Sequence, residues 1–190
     1  PFAFKDSAQD QKWSETEFFK KNCMDAAANE LGVRILAVGN GFMRETYTTN
    51  REINSMEDYK GLKIRTPDVV TISSLYNKIG ANSTPMSYGD CFTALQQGTI
   101  EGIEVPISNF ISGNFNEACK YAAIDNHVYN CLSIQISEQV YQKLDKNVQD
   151  ILNNAAELAA EDECKWAAEA EKSQIQKLKD LGMTVSEDID

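Results

Sequence analysis

Apolar and polar positions alternate in the segment Gly61–Pro67. Leu62 and Ile64 are aliphatic, and the cationic residues Lys63 and Arg65 alternate with them. A strand with this pattern would bury one aliphatic face and carry its cations on the other face. The pattern therefore places an arginine close to the C-terminal end of a strand.

The residues after this strand carry the signals of a helix start. Thr66 is suited to the N-cap position and Pro67 to the first helical position. The helix would then cover Asp68–Ile79 and end at Gly80. Open α/β sheets bind ligands beside the carboxyl ends of strands, and a helix N-terminus favours an anion. Arg65 is thus a candidate anion-binding residue, with an exposed surface arginine as the alternative.

Short apolar runs alternate with helix-like stretches over the rest of the chain, which predicts an α/β fold with mainly parallel strands. Capping boxes at Ser14–Glu17 and Ser87–Asp90 predict two helix starts. Gly32 and Gly98 are suited to the ends of these helices. Further strands are predicted at Val33–Val38, Phe42–Asn50, Asn82–Met86, Thr99–Ile103 and Asn130–Ile136.

One stretch, Asp145–Leu181, contains no proline or glycine and is rich in alanine, glutamate, lysine and leucine. It predicts a single helix that stops at Gly182. At 1.5 Å per residue this helix would be about 54 Å long. Its apolar positions follow no strict heptad, so the pattern does not favour a coiled coil.

Acidic residues outnumber basic residues by 29 to 18, and the formal net charge is −11. Nucleic acids and anionic membrane surfaces repel such a protein and are therefore not expected as partners. An anionic ligand would need a local basic pocket. No apolar run approaches the ~20 residues of a membrane-spanning helix, and no signal peptide opens the chain.

Catalytic and metal-binding motifs are scarce. The five cysteines show no C-x-x-C spacing and are predicted to be core thiols. His127 is the only histidine, no G-x-S-x-G motif occurs, and no metal or cofactor is expected. Glu101 and Glu104, three residues apart, leave one enzymatic alternative open, a lyase or hydrolase with paired carboxylates.

Four motifs occur in the order found in one known family. EDYKGLKIRTP at Glu57–Pro67 is followed by Gly80-Ala81, by Thr84-Pro85-Met86 and by ALQQGTIEGIEVP at Ala94–Pro106. They resemble the solute-binding proteins of TRAP transporters, the DctP-type family. The resemblance implies a two-lobed periplasmic-binding-protein-like fold that closes on a small organic carboxylate, such as a sugar acid, dicarboxylate or oxo acid. It also implies a monomer in the periplasm that delivers this ligand to membrane permease subunits.

The same resemblance implies five ligand-binding residues. Arg65 matches the family's carboxylate-binding arginine, and Arg44 would assist it, although a cross-strand ion pair explains Arg44 equally well. Tyr88 falls where an aromatic wall is common. Val105 replaces a ligand-contacting asparagine, and Asp68 stands where some relatives carry a neutral amide.

The resemblance also implies a division into lobes. Residues 1–42 and 131–170 would form part of lobe I, and residues 43–130 and 171–190 would form lobe II. The long helix, residues 145–181, would brace both lobes. Family members begin about a hundred residues before Pro1 and continue beyond Asp190, so the chain is expected to lack an N-terminal part and the extreme C-terminus.

Overall fold

The computed structural model describes residues 7–39 and 41–189, in which helices and strands alternate along the chain. This alternation confirms the predicted α/β class. The strands are β1 (Val33–Gly39), β2 (Met43–Thr48), β3 (Lys63–Thr66), β4 (Asn82–Pro85), β5 (Gly102–Pro106), β6 (Tyr121–Tyr129), β7 (Leu132–Ser137) and β8 (Thr184–Ser186). The helices are α1 (Ser7–Ser14), α2 (Glu17–Phe19), α3 (Asp25–Leu31), α4 (Val70–Lys78), α5 (Cys91–Gln96), α6 (Ile107–Ser112), α7 (Glu138–Tyr141) and α8 (Lys146–Asp180).

The chain divides into two compact units. Among the described residues, one unit contains Met43–Val128 and the stretch from Glu171 onward, and the other contains the stretch up to Phe42 together with Tyr129–Ala170. Helix α8, 35 residues long, passes from the second unit into the first. Residues 1–6, 40 and 190 of the predicted lobes lie outside the described residues.

The first unit is built on a six-stranded sheet in the order β4-β3-β5-β2-β6-β8. Strand β3 pairs in parallel with β4 and β5, and β6 pairs in parallel with β8. Strand β2 runs antiparallel to β5. The sheet is therefore mixed, and the prediction of parallel strands is right around β3, where the candidate arginine lies.

Strand β3 lies inside the six-stranded sheet, between β4 and β5. Leu62, just before it, and Ile64 are fully buried, as the alternation predicts, and Lys63 is exposed. Arg65 is only 4% exposed, so the alternative of an exposed surface arginine is not observed. Its Nε is bound inside the fold by the carbonyl of Met86.

Helix α4 begins later than its capping signals suggest. Thr66 stays in the strand, and its hydroxyl bonds to the hydroxyls of Ser73 (3.0 Å) and Ser83 (2.8 Å) instead of capping the helix. A tight turn follows, in which the Val69 N–H bonds to the carbonyl of Pro67 at 2.7 Å. Val69 is therefore the N-cap, and it provides no side-chain cap.

One more capping prediction and one predicted strand start need correction. The Ser87 hydroxyl donates to the carboxylate of Asp90 at 2.6 Å and caps no backbone group, and a 3-10 turn at Tyr88–Asp90 precedes α5. Strand β5 starts at Gly102 rather than at Thr99, because the Thr99 N–H still bonds back to α5.

The second unit contains a two-stranded antiparallel sheet of β1 and β7. Its first long helical stretch starts at Thr16, whose hydroxyl accepts the Phe19 N–H at 3.2 Å, whereas Ser14 is the last residue of α1. A π-helical turn at Lys20–Met24 joins α2 to α3. The helix ends where predicted, at Gly32, which has a left-handed φ of +68°.

Candidate ligand-binding site

Arg65 is a buried cation for which the described side chains provide no carboxylate partner. Its Nε donates to the carbonyl of Met86 at 2.8 Å. Within residues 7–39 and 41–189, no carboxylate lies within ion-pair distance of its guanidinium. Removing a cation from water costs several kcal/mol unless an anion compensates it. The two Nη groups of Arg65 are therefore available for an anion from outside the chain.

A cavity of about 470 Å³ lies beside this arginine. It is found where β3 and β4 end and the turn before α4 begins. Its lining residues are Arg65, Pro67, Asp68, Pro85, Met86 and Ser87. The structure thus brings together two of the five predicted ligand-binding residues, Arg65 and Asp68.

Arg44 is engaged in a cross-strand ion pair with Glu104. Its Nε lies 2.6 Å from Oε2 of Glu104, and its Nη2 lies 2.7 Å from Oε1 and 3.0 Å from the backbone carbonyl. The Glu104 side chain is fully buried, and that of Arg44 is 13% exposed. The second interpretation of Arg44, an ion pair between neighbouring strands, is therefore observed. The Nε and Nη2 groups of Arg44 thus both donate to Glu104.

His127 extends this ion pair into a buried network. Its Nδ1 lies 2.7 Å from Asp125, and its Nε2 lies 3.3 Å from Oε2 of Glu104 and 3.2 Å from the Tyr76 hydroxyl. Burial lowers the pKa of His127, but Asp125 and Glu104 outweigh burial and raise this pKa to about 9. The imidazole is therefore protonated at neutral pH, and two cations face two carboxylates.

Asp125 is held by hydroxyl groups from two directions. The hydroxyls of Thr46 and Tyr59 each donate to its Oδ2 at 2.6 Å. Burial raises the pKa of Asp125, but the charge and hydrogen bond of His127, together with these hydroxyls, lower it overall. This network has the character of a structural core, because each of its charged groups has an internal partner.

Glu45 is a buried acid of this network whose ionised form is disfavoured by its surroundings. It is 2% exposed, and its Oε2 accepts the N–H of Asn126 at 2.8 Å. Burial, and next the carboxylate of Asp125, raise the pKa of Glu45 well above its usual range. A group with a raised pKa stabilises the fold fully only below its unfolded pKa, and this contribution is lost as the pH rises.

Glu45→Gln is therefore expected to raise the free energy of unfolding at pH 7, by roughly 1–3 kcal/mol, because it keeps an acceptor and removes a buried acid. The gain should disappear near pH 4, where Glu45 is protonated in both states. Urea unfolding at both pH values measures this difference. A variant that is less stable than the parent at pH 7 would contradict the assignment of Glu45 as a buried acid.

The remaining predicted ligand-binding residues lie outside the cavity lining. Tyr88 is 39% exposed, its hydroxyl donates to the carbonyl of Asn109 at 2.7 Å, and its ring packs edge-on against Phe115. Val105 is 3% exposed and belongs to a hydrophobic cluster with Tyr47. Their roles toward a ligand stay predictions.

The carboxylate pair of the enzymatic alternative is held by separate structural partners. Glu104 is bound to Arg44 and His127, and the carboxylate of Glu101 accepts the N–H of Lys63 at 3.1 Å. The sequence analysis missed Asp125 as part of the network. Its spacing of two from His127, which places both side chains on one face of a strand, could have indicated it.

No helix in the described part of the chain combines the length and the apolar character that a membrane crossing requires.

Comparison with known proteins shows which family has this sequence and fold. The model of the bacterial extracellular solute-binding proteins, family 7 (DctP), matches residues 1–189. The sialic acid-binding periplasmic protein SiaP of Vibrio cholerae is 30% identical over 186 residues, which are 98% of this chain and 57% of that protein. The 2,3-diketo-L-gulonate-binding periplasmic protein YiaO of Escherichia coli is 28% identical over 190 residues, again 57% of its length. The chain thus spans little more than half the length of these curated relatives.

Solved structures of similar chains agree with this match. A TRAP periplasmic solute-binding protein from Roseobacter denitrificans with bound L-galactonate has a TM-score of 0.90 and 29% identity, and the match covers 100% of this chain and 62% of that one. A second, from Polaromonas sp. JS666 with bound D-erythronate, has a TM-score of 0.91 and 30% identity over the same shares. On these grounds, the chain belongs to the DctP family of bacterial extracellular solute-binding proteins.

Proposed function

We propose that this protein is an extracytoplasmic receptor of a TRAP transporter, which binds a small organic carboxylate and passes it to the membrane permease. Membership of the DctP family supports this function. The relatives suggest a class of ligand. Two are named for binding sialic acid and 2,3-diketo-L-gulonate, and two solved structures contain L-galactonate and D-erythronate. A sugar acid is therefore the first class of ligand to test.

The observation that carries the proposal is the buried, unpaired guanidinium of Arg65. It is 4% exposed, it faces a cavity of about 470 Å³, and it has no carboxylate partner among the described residues. A ligand carboxylate would compensate the charge of this guanidinium and accept two parallel N–H···O bonds from it, an arrangement for which a planar guanidinium is suited. The start of α4 would add backbone donors to the same anion.

The mechanism we infer is closure of two lobes around the ligand, without covalent chemistry. The compact units are the candidates for these lobes, and α8, which belongs to both, is the candidate brace. Arg65 would hold the ligand carboxylate, and Arg44, which Glu104 holds in place, would assist through its Nη1, for which no hydrogen bond is found among the described residues. We do not carry the lyase or hydrolase alternative further, because Glu101 and Glu104 are engaged in structural contacts.

A thermal-shift screen of sugar acids, dicarboxylates and oxo acids tests this function on the protein as its gene encodes it. At 100 times its dissociation constant, a true ligand should add ~2.7 kcal/mol to the stability. Mass spectrometry should recover this ligand unchanged, and X-ray scattering should show a smaller radius of gyration when it is bound. A chemically altered product, or a screen in which no organic acid raises the unfolding midpoint, would contradict the proposal.

A further inference from the structure

The cavity beside Arg65 also contains a carboxylate, and this carboxylate bears on which acids can enter. Asp68 lies in the turn between β3 and α4 and is exposed. It lines the same cavity as Arg65, and no hydrogen bond or ion pair involves its side chain among the described residues. Neither of the two charged groups of this cavity therefore has an ion-pair partner in the part of the chain that the structure describes.

We infer that Asp68 is a specificity-determining residue, which accepts a hydrogen bond from a ligand hydroxyl and rejects a second ligand carboxylate. The inference rests on the proposed function, because it assumes that Arg65 binds a ligand carboxylate. The preferred ligand is then a hydroxylated monocarboxylate, and the corresponding dicarboxylate binds more weakly.

The donors and acceptors of the lining residues support this assignment. An ionised aspartate has acceptor sites only, so it needs a donor on the ligand. The other polar side chain of the lining, Ser87, donates its hydroxyl to Asp90 at 2.6 Å. The carbonyl of Met86 already accepts the Nε of Arg65. The Ser87 oxygen can still accept a hydrogen bond, but it is neutral; Asp68 is the one charged acceptor of the lining, and a hydrogen bond to a charged acceptor is roughly twice as strong as one between neutral groups.

The charges of the lining lead to the same conclusion. Arg65 is its one cation and Asp68 its one acid; the other four lining residues are neutral. A monocarboxylate ligand pairs its single carboxylate with Arg65 and carries no second negative charge that would face Asp68. A second carboxylate on the same ligand would meet Asp68 without a second cation, and like charges at close range are unfavourable. Arg44 does not supply that cation, since Glu104 already compensates its charge.

Pairs of acids that differ at one carbon provide the test. Galactonate and galactarate share a six-carbon polyhydroxy skeleton and differ in whether the last carbon is a hydroxymethyl group or a carboxylate; erythronate and meso-tartrate form the four-carbon pair. Calorimetry on the protein as its gene encodes it should show a preference of tenfold or more for the monocarboxylate. Asp68→Asn, which keeps the shape and removes the charge, should reduce this preference about tenfold. Asp188→Asn, an exposed acid of the same unit, is the matched control and should leave the preference unchanged.

Each outcome decides the inference. Equal binding within the pairs, tighter binding of the dicarboxylate, or an unchanged preference in Asp68→Asn overturns the role of Asp68 while the proposed receptor function stands. Tighter binding of an α-amino acid than of its hydroxy analogue also overturns it, because Asp68 would then select an ammonium group. If the parent binds no organic acid, the proposed function itself is wrong, and the inference is wrong with it. If Arg65→Ala binds an acid as tightly as the parent does, the roles of Arg65 and Asp68 are both wrong while the receptor function stands.

Discussion

Arg65→Ala is expected to weaken ligand binding by on the order of 2–5 kcal/mol, which corresponds to about 30-fold to several thousand-fold in affinity. The size of the effect follows from burial, because the variant leaves the ligand carboxylate in a cavity without its cation. The stability of the ligand-free protein, in contrast to the affinity, is not expected to fall. Since Arg65 is buried without an anion, its removal is expected to preserve or raise the free energy of unfolding.

Two further variants separate shape from charge. Arg65→Lys keeps the positive charge but loses the planar pair of donors, so its affinity should lie between those of the parent and Arg65→Ala. Lys63→Ala removes a cation from the same strand at an exposed position and is the matched control. Calorimetry with the best acid from the screen, together with urea unfolding of each ligand-free variant, measures both quantities. If Arg65→Ala folds normally and binds within threefold of the parent, the proposed role of Arg65 is wrong.

The alternation around β3 predicted the strand but not the environment of its last cation. A pattern of alternating apolar residues indicates that one face is buried, and it contains no information on what covers the other face. Leu62 and Ile64 were therefore predictable as core residues. Arg65 is paired in the sheet with Ile103 of the neighbouring strand, and the carbonyl of Met86 accepts its Nε. Both residues are at least 21 positions away in sequence, so the local pattern contains no information on them.

Helix starts show how tertiary contacts override local signals. Thr66 and Pro67 form a favourable local start, yet Thr66 pairs with Pro85 in the sheet and bonds to Ser83. These contacts keep Thr66 in the strand, and α4 begins only at Val70. The C-terminal end of α4 was more predictable than its start. It is marked by Gly80, whose φ of +91° is a local backbone conformation that glycine adopts readily.

Strand β6 was missed for a related reason. Its middle residues, Asp125, Asn126 and His127, interrupt the apolar pattern that identifies strands in a sequence. They are tolerated inside the fold because their partners come from other strands and helices, among them Glu104 and Tyr76. Buried polar groups need such partners, and a local pattern cannot supply them.

This network leads to the second large expected effect. Glu104→Ala should lower the free energy of unfolding by about 3–5 kcal/mol, since it leaves the largely buried Arg44 without its carboxylate and leaves His127 with Asp125 as its one remaining carboxylate partner. Glu101→Ala is the matched control: Glu101 is partly exposed, and its loss removes one hydrogen bond to the Lys63 N–H. The control should cost about 1 kcal/mol. Equal losses in the two variants would contradict a special role for Glu104.

The pH dependence of stability distinguishes this ionic network from simple packing. The pKa of His127 is about 9 in the folded protein, above the 6.5 of an unperturbed histidine. Its stabilising contribution is therefore complete below about pH 6.5 and is lost as the pH rises through 9. The lowered pKa of Asp125 gives a contribution that is present above its ordinary pKa of 3.8 and lost as the pH falls below it. The parent should thus lose stability between pH 7 and 9.5.

In Glu104→Ala, His127 loses one of its two carboxylates, so its pKa in the folded state should fall and the loss of stability at alkaline pH should be smaller than in the parent. Urea unfolding at pH 6, 7.5 and 9.5 measures this change. A variant that lacks only packing volume would be destabilised by the same amount at all three pH values. That outcome would show that His127 is not stabilised by Glu104, and that the ion pair of Arg44 with Glu104 is independent of the histidine.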